Sequence, residues 1–236
     1  MPSISVIMPA YNEEDIIEKS VRDFYNEIVN KIDDSELIVV DDWSTDDTPI
    51  ILKNLKKDLP KLIIVKTPRN SGHGKAMLLG LETAGKDFIF QTDSDYQHDP
   101  KEFWKLYPYM EHYDIVLGYR KRREDTLVRK LISRFARLLN SMLFGVSLHD
   151  TNCPFRIYRR SALKKIFTLL DKNVFAPAIH ICIIASHLGM SIKEIGVTHY
   201  PRTTGKVSIM GIKLLRICIR CVWEIVCLKK KLRVNR

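Results

Sequence analysis

Two carboxylates with one residue between them, Asp93 and Asp95, are the side chains of this chain best suited to hold a metal ion. They follow the short apolar run 88–90, which predicts a buried strand. Side chains at positions i and i+2 of an extended segment point the same way, so both carboxylates can bind one divalent cation. Such oxygen ligands suit Mg²⁺ or Mn²⁺, and Mg²⁺ is commonly shared between carboxylates and substrate phosphates. The pair therefore indicates a nucleotide diphosphate site, although a solvated turn would give the same spacing.

Other reactive side chains also follow predicted strands. Asp41 and Asp42 come after one strand, and the glycine-containing loop 69–75 follows the next. The strands are predicted at 4–8, 36–40, 62–65 and 88–91, and the helices between them at 14–30, 48–59 and 74–84. Alternating strands and helices form parallel βαβ units, which bind ligands at the carboxyl ends of the strands. The pattern predicts an α/β fold with a mostly parallel central sheet, helices on both faces and a ligand site at one edge.

The second half of the chain is less regular. Its strands are predicted at 115–117 and 192–197, and its helices at 99–110, 127–143, 161–170 and 177–188. No repeat or linker separates the two halves. We therefore expect one domain over residues 1–207, with halves 1–99 and 100–207, followed by an appendage over residues 208–236.

Composition limits the kinds of partner. The 236 residues are 45% hydrophobic and 28% charged, as is usual for a globular protein, but the net charge is +10. This charge favours anionic partners, namely nucleotide phosphates, acidic lipids or nucleic acid. We expect no nucleic acid, because the sequence contains no helix-turn-helix, zinc-finger or aromatic RNA-binding motif. The five cysteines and the lack of an apolar leader predict reduced thiols and a cytoplasmic location.

The appendage has the composition of an amphipathic helix. Its charges at Lys213, Arg216, Arg220 and Glu224 lie three or four residues apart and form one stripe on a largely apolar helix. Four charges disfavour a membrane span, whereas a helix lying in the membrane interface tolerates them. The basic tail 229–233 would be attracted to an anionic membrane surface. We expect an interface helix, and the alternative is a helix that packs on the protein or in a dimer interface.

A series of motifs runs through the chain in a characteristic order. They are residues 6–13 (VIMPAYNE), 39–46 (VVDDWSTD), 69–76 (RNSGHGKA), 92–100 (TDSDYQHDP), 118–120 (GYR), Arg129 with Ser133, Asp150 with 155–156 (FR), and 200–208 (YPRTTGKVS). The series resembles the family 2 glycosyltransferases with the GT-A fold, above all the dolichol-phosphate mannosyltransferases and related polyprenyl-phosphate hexosyltransferases. Within the second motif, Trp43 stands where glycine is common. Two departures are Ile179-His180, where an acidic residue is common, and the lack of the carboxylate base and aromatic-rich motif of the family's polymerising members, which argues against chain elongation.

The resemblance implies a role for each matched residue. The metal, Mg²⁺ or Mn²⁺, would be bound by Asp93, Asp95 and Gln97. The nucleotide sugar would be bound by Pro9, Tyr11, Glu13, Asp42, Lys75, Asp93, Ser94 and Asp95. The acceptor phosphate needs positive charge, for which the candidates are Arg120, Arg129, Arg202 and Lys206. Asp93, Asp95 and Arg120 would act directly in catalysis, whereas His98 is expected to pack in the loop rather than bind metal.

The implied reaction is the inverting transfer of a hexose from a nucleotide diphosphate sugar to a polyprenyl or dolichyl phosphate. Mannose from GDP-mannose is the default donor, and a UDP-hexose is the alternative. A phosphate acceptor is mostly dianionic near neutral pH and needs no general base, and no well-supported base motif occurs. The competing interpretation is a hydroxyl acceptor on a lipid, glycan or small molecule. A peripheral position on the cytoplasmic face of a membrane is implied, with a membrane protein or a second copy of the chain as candidate partners.

Overall fold

One mixed sheet organises the protein. The computed structural model describes residues 2–121, 141, 144–145, 148–201 and 211–234, with side chains of the last helix described from 216 to 233. The strands within these ranges are β1 (Ile4–Ala10), β2 (Ser35–Asp41), β3 (Leu62–Lys66), β4 (Phe88–Gln91), β5 (Ile115–Arg120), β6 (Arg156–Arg159) and β7 (Ile192–Val197). The α-helices are α1 (Ile17–Glu27), α2 (Thr48–Asp58), α3 (His73–Thr83), α4 (Phe103–Leu106), α5 (Arg160–Leu169), α6 (Pro177–His187) and α7 (Gly211–Val234).

The strand order brings the candidate residues to one edge. The sheet has the order β3-β2-β1-β4-β6-β5-β7. Neighbouring strands run parallel except for β6, which is antiparallel to both β4 and β5. Because these two reversals cancel, β5 points the same way as β4. The carboxyl ends of β1, β2, β4 and β5 therefore share one edge, which we call the carboxyl edge.

Alternating apolar side chains bury both faces of the sheet. In β1, Val6 and Met8 contact the core under α1, α2 and α4, whereas Ile7 contacts the core under α3, α5 and α6. The strand period of two residues places successive side chains on opposite faces. The two cores confirm the predicted α/β sheet with helices on both sides.

The strand β6 is an element that the sequence analysis missed. Its four residues begin and end with arginine, so they do not show the apolar run of a buried strand. Arg156 is nevertheless fully buried. Its guanidinium donates hydrogen bonds to the carbonyl oxygens of Thr151 and Cys153, which satisfies these buried N–H donors.

Two predicted helices have different bounds. The helix predicted at 14–30 is shorter and is followed by a 3₁₀ turn at Val29–Lys31. The helix predicted at 99–110 is divided into a 3₁₀ turn at Pro100–Glu102, the short α4 and a second 3₁₀ turn at Tyr107–Tyr109. Pro108 lacks the backbone N–H that a continuous helix would use there. The helix predicted at 127–143 falls almost wholly outside the described residues.

The C-terminal helix α7 packs on the body of the protein. Ile225, Leu228 and Leu232 are buried in the same core as α3 and α6. The predicted charged stripe is exposed only in part: Arg216 and Arg220 are exposed, whereas Glu224 is 8% exposed and accepts a hydrogen bond of 2.9 Å from the backbone N–H of Phe175. Packing on the body, the alternative from the sequence, is thus confirmed for this face. Within the described ranges, none of the helices has the length and apolar character of a membrane span.

Candidate functional site

The acidic pair lies at the carboxyl edge, where the sequence predicted it. Asp93 and Asp95 follow the end of β4, and Tyr96 has a left-handed backbone (φ 57°) that turns the chain after them. The Oδ1 atom of Asp93 is buried and has no hydrogen-bond partner among the described residues. The Nε2 atom of His73 lies 3.6 Å from it. Asp95 accepts a hydrogen bond of 3.2 Å from the backbone N–H of Gln97.

This arrangement fits a divalent cation. A buried carboxylate oxygen without a donor is unfavourable unless positive charge lies beside it. The oxygen atoms in this turn that could bind a metal are the carboxylate oxygens of Asp93 and Asp95 and the amide oxygen of Gln97. Such hard oxygen ligands are the ones that Mg²⁺ and Mn²⁺ prefer. Among the described residues, no group of three or more His, Cys, Asp and Glu side chains is arranged to hold a metal.

The acidic turn is attached to the chain that follows β7. Gln97 donates its side-chain N–H to the carbonyl oxygen of Tyr200 at 3.0 Å, and its own carbonyl accepts the backbone N–H of Tyr200 at 2.9 Å. The Nδ1 atom of His98 lies 3.0 Å from the carbonyl oxygen of Thr198. Because that oxygen can only accept, Nδ1 carries the proton. The two residues therefore hold the acidic turn against the segment 198–200.

The ring of His98 is neutral near pH 7. Burial, together with the neighbouring His199, lowers the pKa of His98 to about 4. Its Nε2 atom is buried and has no hydrogen-bond partner in the part of the chain that the structure describes. The ring also lies 5.0 Å from that of Phe155, centroid to centroid, which agrees with the packing role expected from the sequence.

Residues predicted to bind the nucleotide lie at the ends of β1 and β2. Pro9 is buried within β1, and Tyr11, just beyond the strand, is 43% exposed. Glu13 donates its backbone N–H to Thr48 Oγ1 at 2.9 Å. These positions agree with a pocket at the carboxyl edge, and the contacts of these residues with a nucleotide stay predictions.

Asp42 is buried and organises the glycine-containing loop. Its carboxylate accepts hydrogen bonds from Thr67 Oγ1 at 2.9 Å, from the N–H of Ser71 at 2.9 Å and from the N–H of Gly72 at 2.7 Å. Three of the approximately four acceptor positions of a carboxylate are therefore used within the protein. The sequence predicted a direct contact of Asp42 with the base or ribose. The structure adds a role in shaping the loop, which the sequence analysis missed.

This loop directs the start of α3 towards the acidic pair. Gly72 precedes the helix with a φ of 87°, a conformation that favours glycine. The first backbone N–H groups of a helix are available to an anion. Lys75 is exposed in the first turn, and His73 approaches Asp93. The sequence motif contained His73, but only the fold shows its approach to the acidic pair.

Arg120 lies at the end of β5 and forms a buried ion pair. Its Nε and Nη2 atoms lie 2.7 and 3.0 Å from the two carboxylate oxygens of Asp150. The side chains of Arg120 and Asp150 are only 12% and 6% exposed. Such a bidentate pair fixes the plane of the guanidinium. The other predicted acceptor residues, Arg129, Arg202 and Lys206, lie outside the described residues.

Hydrogen bonds from Arg156 and Asn152 stabilise the loop that carries Asp150. The buried guanidinium of Arg156 donates to the carbonyl oxygens of Thr151 and Cys153. The N–H of Asn152 donates to Asp150 Oδ1 at 3.3 Å. The sequence placed Arg120 and Asp150 in one series of motifs but gave no sign that they pair. A basic side chain is thus positioned two strands away from the acidic pair.

Comparisons with known proteins give a consistent result. The model of the protein family described as "Glycosyl transferase family 2" matches residues 5–167. A dodecaprenyl-phosphate galacturonate synthase of Rhizobium johnstonii is 36% identical over 216 residues, which cover 89% of this chain and 62% of that protein. An undecaprenyl-phosphate 4-deoxy-4-formamido-L-arabinose transferase of Pectobacterium atrosepticum is 31% identical over 222 residues, or 91% and 65%. The chain therefore spans less than two thirds of the length of these curated relatives.

Solved structures share the fold. Glucosyl-3-phosphoglycerate synthase from Mycobacterium tuberculosis, in complex with Mn²⁺ and UDP-glucose, superimposes with a TM-score of 0.71. The match covers 97% of this chain and 79% of that one, with 21% sequence identity. At this identity the likeness concerns the fold alone.

Proposed function

The chain belongs to glycosyl transferase family 2 and has a GT-A-like fold, and we propose on this premise that it transfers a sugar from a nucleotide diphosphate sugar to a polyprenyl phosphate. The observation that carries the proposal is the buried Oδ1 of Asp93, which has no hydrogen-bond partner among the described residues. It lies beside the start of α3, in a position where a cation and a diphosphate would satisfy it. The two relatives described above are named for sugar transfer involving dodecaprenyl and undecaprenyl phosphate, which supports the acceptor class.

Each group of residues has a distinct part in the proposed reaction. A metal bound by Asp93, Asp95 and Gln97 would stabilise the charge of the leaving nucleoside diphosphate. Arg120, oriented by Asp150, would contact the acceptor phosphate. Because both carboxylate oxygens of Asp150 are engaged by this bidentate pair, Asp150 is poorly suited to serve as a general base. A phosphate nucleophile needs no base, so the pairing of Asp150 is compatible with a phosphate acceptor.

The identities of the sugar and the lipid stay predictions. The sequence resemblance suggested mannose from GDP-mannose and a dolichyl or polyprenyl acceptor. The relatives are named instead for galacturonate and 4-deoxy-4-formamido-L-arabinose. We therefore propose the class of donor, a nucleotide diphosphate sugar, and leave GDP-mannose and UDP-hexoses as alternatives for direct test.

A panel of labelled donors tests the proposal. The protein is incubated with Mn²⁺ and undecaprenyl phosphate, with GDP-mannose, UDP-glucose or UDP-galacturonate as donor, and lipid-linked label is measured. The matched control acceptor is undecaprenol, which has the same hydrocarbon tail but no phosphate. Transfer to the phosphate and not to the alcohol is the expected result. Transfer to the alcohol alone would support a hydroxyl acceptor and contradict the proposal.

We further propose that α7 places the protein on an anionic membrane. The face opposite to the buried one is exposed, and we call it the outer stripe: Arg216, Ile219, Trp223, Val226, Lys230 and Arg233. Ile219 and Trp223, in its centre, are 62% and 67% exposed. An apolar centre with basic residues at both ends fits acyl chains below anionic headgroups. Since the other face of the helix is packed, the stripe would lie flat on the membrane.

The double variant Ile219→Glu/Trp223→Glu is expected to bind vesicles with 30 mol% phosphatidylglycerol about 10-fold more weakly or worse. Burial of each apolar side chain contributes roughly 1.5–3 kcal/mol, which the two carboxylates would remove. Vesicle co-sedimentation measures the effect, and high salt should weaken binding of the unmodified protein.

The matched control is Ile50→Glu, because Ile50 is also an exposed apolar helix residue (60%) but lies on α2. It should bind vesicles like the unmodified protein. Equal sedimentation of the double variant would contradict the membrane assignment. Loss of a dimer in light scattering, without any loss of vesicle binding, would assign the stripe to a second copy of the chain.

A further inference from the structure

Tyr96 lies between two of the candidate metal ligands, Asp95 and Gln97, and has an unusual backbone. Its φ of 57° is in the left-handed region, which bulky residues rarely adopt. The N–H of Gln97 donates to Asp95 Oδ1 at 3.2 Å, so the turn closes around Tyr96. The backbone angles of Tyr96 set the direction of Gln97 relative to Asp95. This one residue therefore decides whether both side chains can approach the same cation.

The side chain of Tyr96 is attached to α1, far away in the sequence. Its hydroxyl donates a hydrogen bond of 2.6 Å to Oδ2 of Asp23, which lies 73 residues earlier in the chain. The Nζ atom of Lys19 lies 3.2 Å from the centroid of the Tyr96 ring and 2.9 Å from the same oxygen of Asp23. Lys19 and Asp23 are one helical turn apart, so they contact the ring and the hydroxyl together. The tyrosine is therefore held on α1 at two points.

The helix α1 has a fixed position in the fold. Its residues Ile17, Val21 and Phe24 are fully buried in the same core as Val6 and Met8 of β1. Groups attached to a well-packed helix are held more precisely than groups attached to a loop. The contact between Tyr96 and α1 thus gives the acidic turn a defined position relative to the central sheet.

The acidic turn has a second, separate attachment. Gln97 and His98 connect it to the segment 198–200, as described above, whereas Tyr96 connects it to α1. The two attachments use different residues, so removal of one leaves the other in place. Loss of the bond between Tyr96 and Asp23 should therefore change the geometry of the metal ligands without unfolding the turn.

We propose that Tyr96, held by Asp23 of α1, is a positioning residue that directs Asp95 and Gln97 towards one divalent cation. The inference rests on the proposed function, because it takes the acidic turn to bind the metal of the sugar-transfer reaction. Tyr96 and Asp23 act through the backbone of the turn on the residues that would bind the metal. The hydrogen bond to Asp23 offsets the strain of the left-handed backbone, at a position where glycine would be unstrained.

Mn²⁺ binding tests the inference directly. Electron paramagnetic resonance measures the affinity of the protein for Mn²⁺ in the presence of UDP and, separately, of GDP. Tyr96→Phe, which lacks only the hydroxyl, and Asp23→Ala are each expected to bind Mn²⁺ about 10-fold more weakly, as is usual when a residue that supports a metal ligand is lost. The double variant should bind no more weakly than either single variant, because all three lack the same hydrogen bond. Asp23→Asn keeps an oxygen that accepts this bond and should retain most of the affinity.

The matched control is Glu27→Ala. Glu27 is also a carboxylate of α1, pairs with Lys31 at 2.6 Å and accepts a hydrogen bond of 2.9 Å from Trp104 Nε1. The exchange thus breaks the same kinds of contact, but Trp104 belongs to α4 and not to the acidic turn. Glu27→Ala should bind Mn²⁺ like the unmodified protein. Its melting temperature in EDTA should fall about as much as that of Asp23→Ala.

The outcomes separate the inference from the proposed function. Equal Mn²⁺ affinity in Tyr96→Phe, Asp23→Ala and the unmodified protein would overturn the positioning role and leave the proposed function intact. An equal loss of affinity in Glu27→Ala would also overturn it, because the loss would then reflect general destabilisation. Failure of the unmodified protein to bind Mn²⁺ with either nucleotide would instead contradict the proposed function, on which the inference depends.

Discussion

Replacing Asp93 with asparagine is expected to reduce sugar transfer about 1,000-fold or more. The variant keeps the shape of the side chain but loses the charge of the buried Oδ1 atom that has no hydrogen-bond partner among the described residues. A bound metal contributes several kcal/mol of charge stabilisation to such a reaction, and each 1.36 kcal/mol corresponds to a factor of ten. The measurement is the initial rate of lipid-linked product at saturating Mn²⁺.

The same variant separates metal binding from folding. The Oδ1 atom of Asp93 is buried without a hydrogen-bond donor among the described residues, which is unfavourable in the absence of a cation, so Asp93→Asn should melt in EDTA at a temperature equal to or above that of the unmodified protein. Mn²⁺ with UDP or GDP should raise the melting temperature of the unmodified protein and not that of the variant.

The control for this variant is Asp87→Asn, the same exchange at the residue that directly precedes β4, whereas Asp93 follows β4. Asp87 is exposed and accepts a hydrogen bond of 2.8 Å from Ser3 Oγ, far from the carboxyl edge. It should retain full activity. Normal turnover of Asp93→Asn, or full activity of the unmodified protein in excess EDTA, would show that no metal acts at this position.

A second large effect is expected at the buried ion pair. Arg120→Met should lower kcat/KM for polyprenyl phosphate by about 100-fold, with the main effect on the acceptor. The exchange removes a cation and takes the bidentate guanidinium away from the 6% exposed carboxylate of Asp150, where an anion must enter. Removal of one partner of a buried charge pair costs about 2–5 kcal/mol, or roughly 30-fold to several thousand-fold.

A double-mutant cycle distinguishes charge from packing. In Arg120→Met/Asp150→Asn the site is neutral again, so we expect part of the acceptor affinity to return relative to Arg120→Met. Asp150→Asn alone keeps the positive charge and should affect acceptor binding least, although Arg120 is then less well oriented. Arg120→Lys retains charge without the bidentate geometry and should be intermediate.

Arg22→Met is the matched control, because Arg22 also forms an ion pair, with Glu18 at 2.9 Å, but on the exposed surface of α1. It should change neither activity nor stability by a measurable amount. If Arg120→Met lost stability but kept the KM for the acceptor, Arg120 would have a structural role only, and the proposed acceptor site would be wrong.

Much of the site could be predicted from local patterns. The strand Ile192–Val197 has the predicted bounds, and Asp93 and Asp95 follow β4 as expected. Apolar runs, their periods and the residues that follow them are properties of a few consecutive residues, so they can be recognised without knowing the fold. The βαβ pattern then places those residues at one edge, because parallel strands end together.

The sequence by itself thus determined the α/β class, the family resemblance and the identity of the acidic pair. Only the tertiary structure decided that Arg120 pairs with Asp150, 30 residues away, and that His73 approaches Asp93. It also decided which face of α7 is buried, since Glu224 bonds to a backbone 49 residues earlier in the chain. These features depend on the packing of segments that are distant in sequence. The free energy of such a contact depends on the residues of both segments. The local sequence pattern of one segment therefore does not predict which segment it will contact.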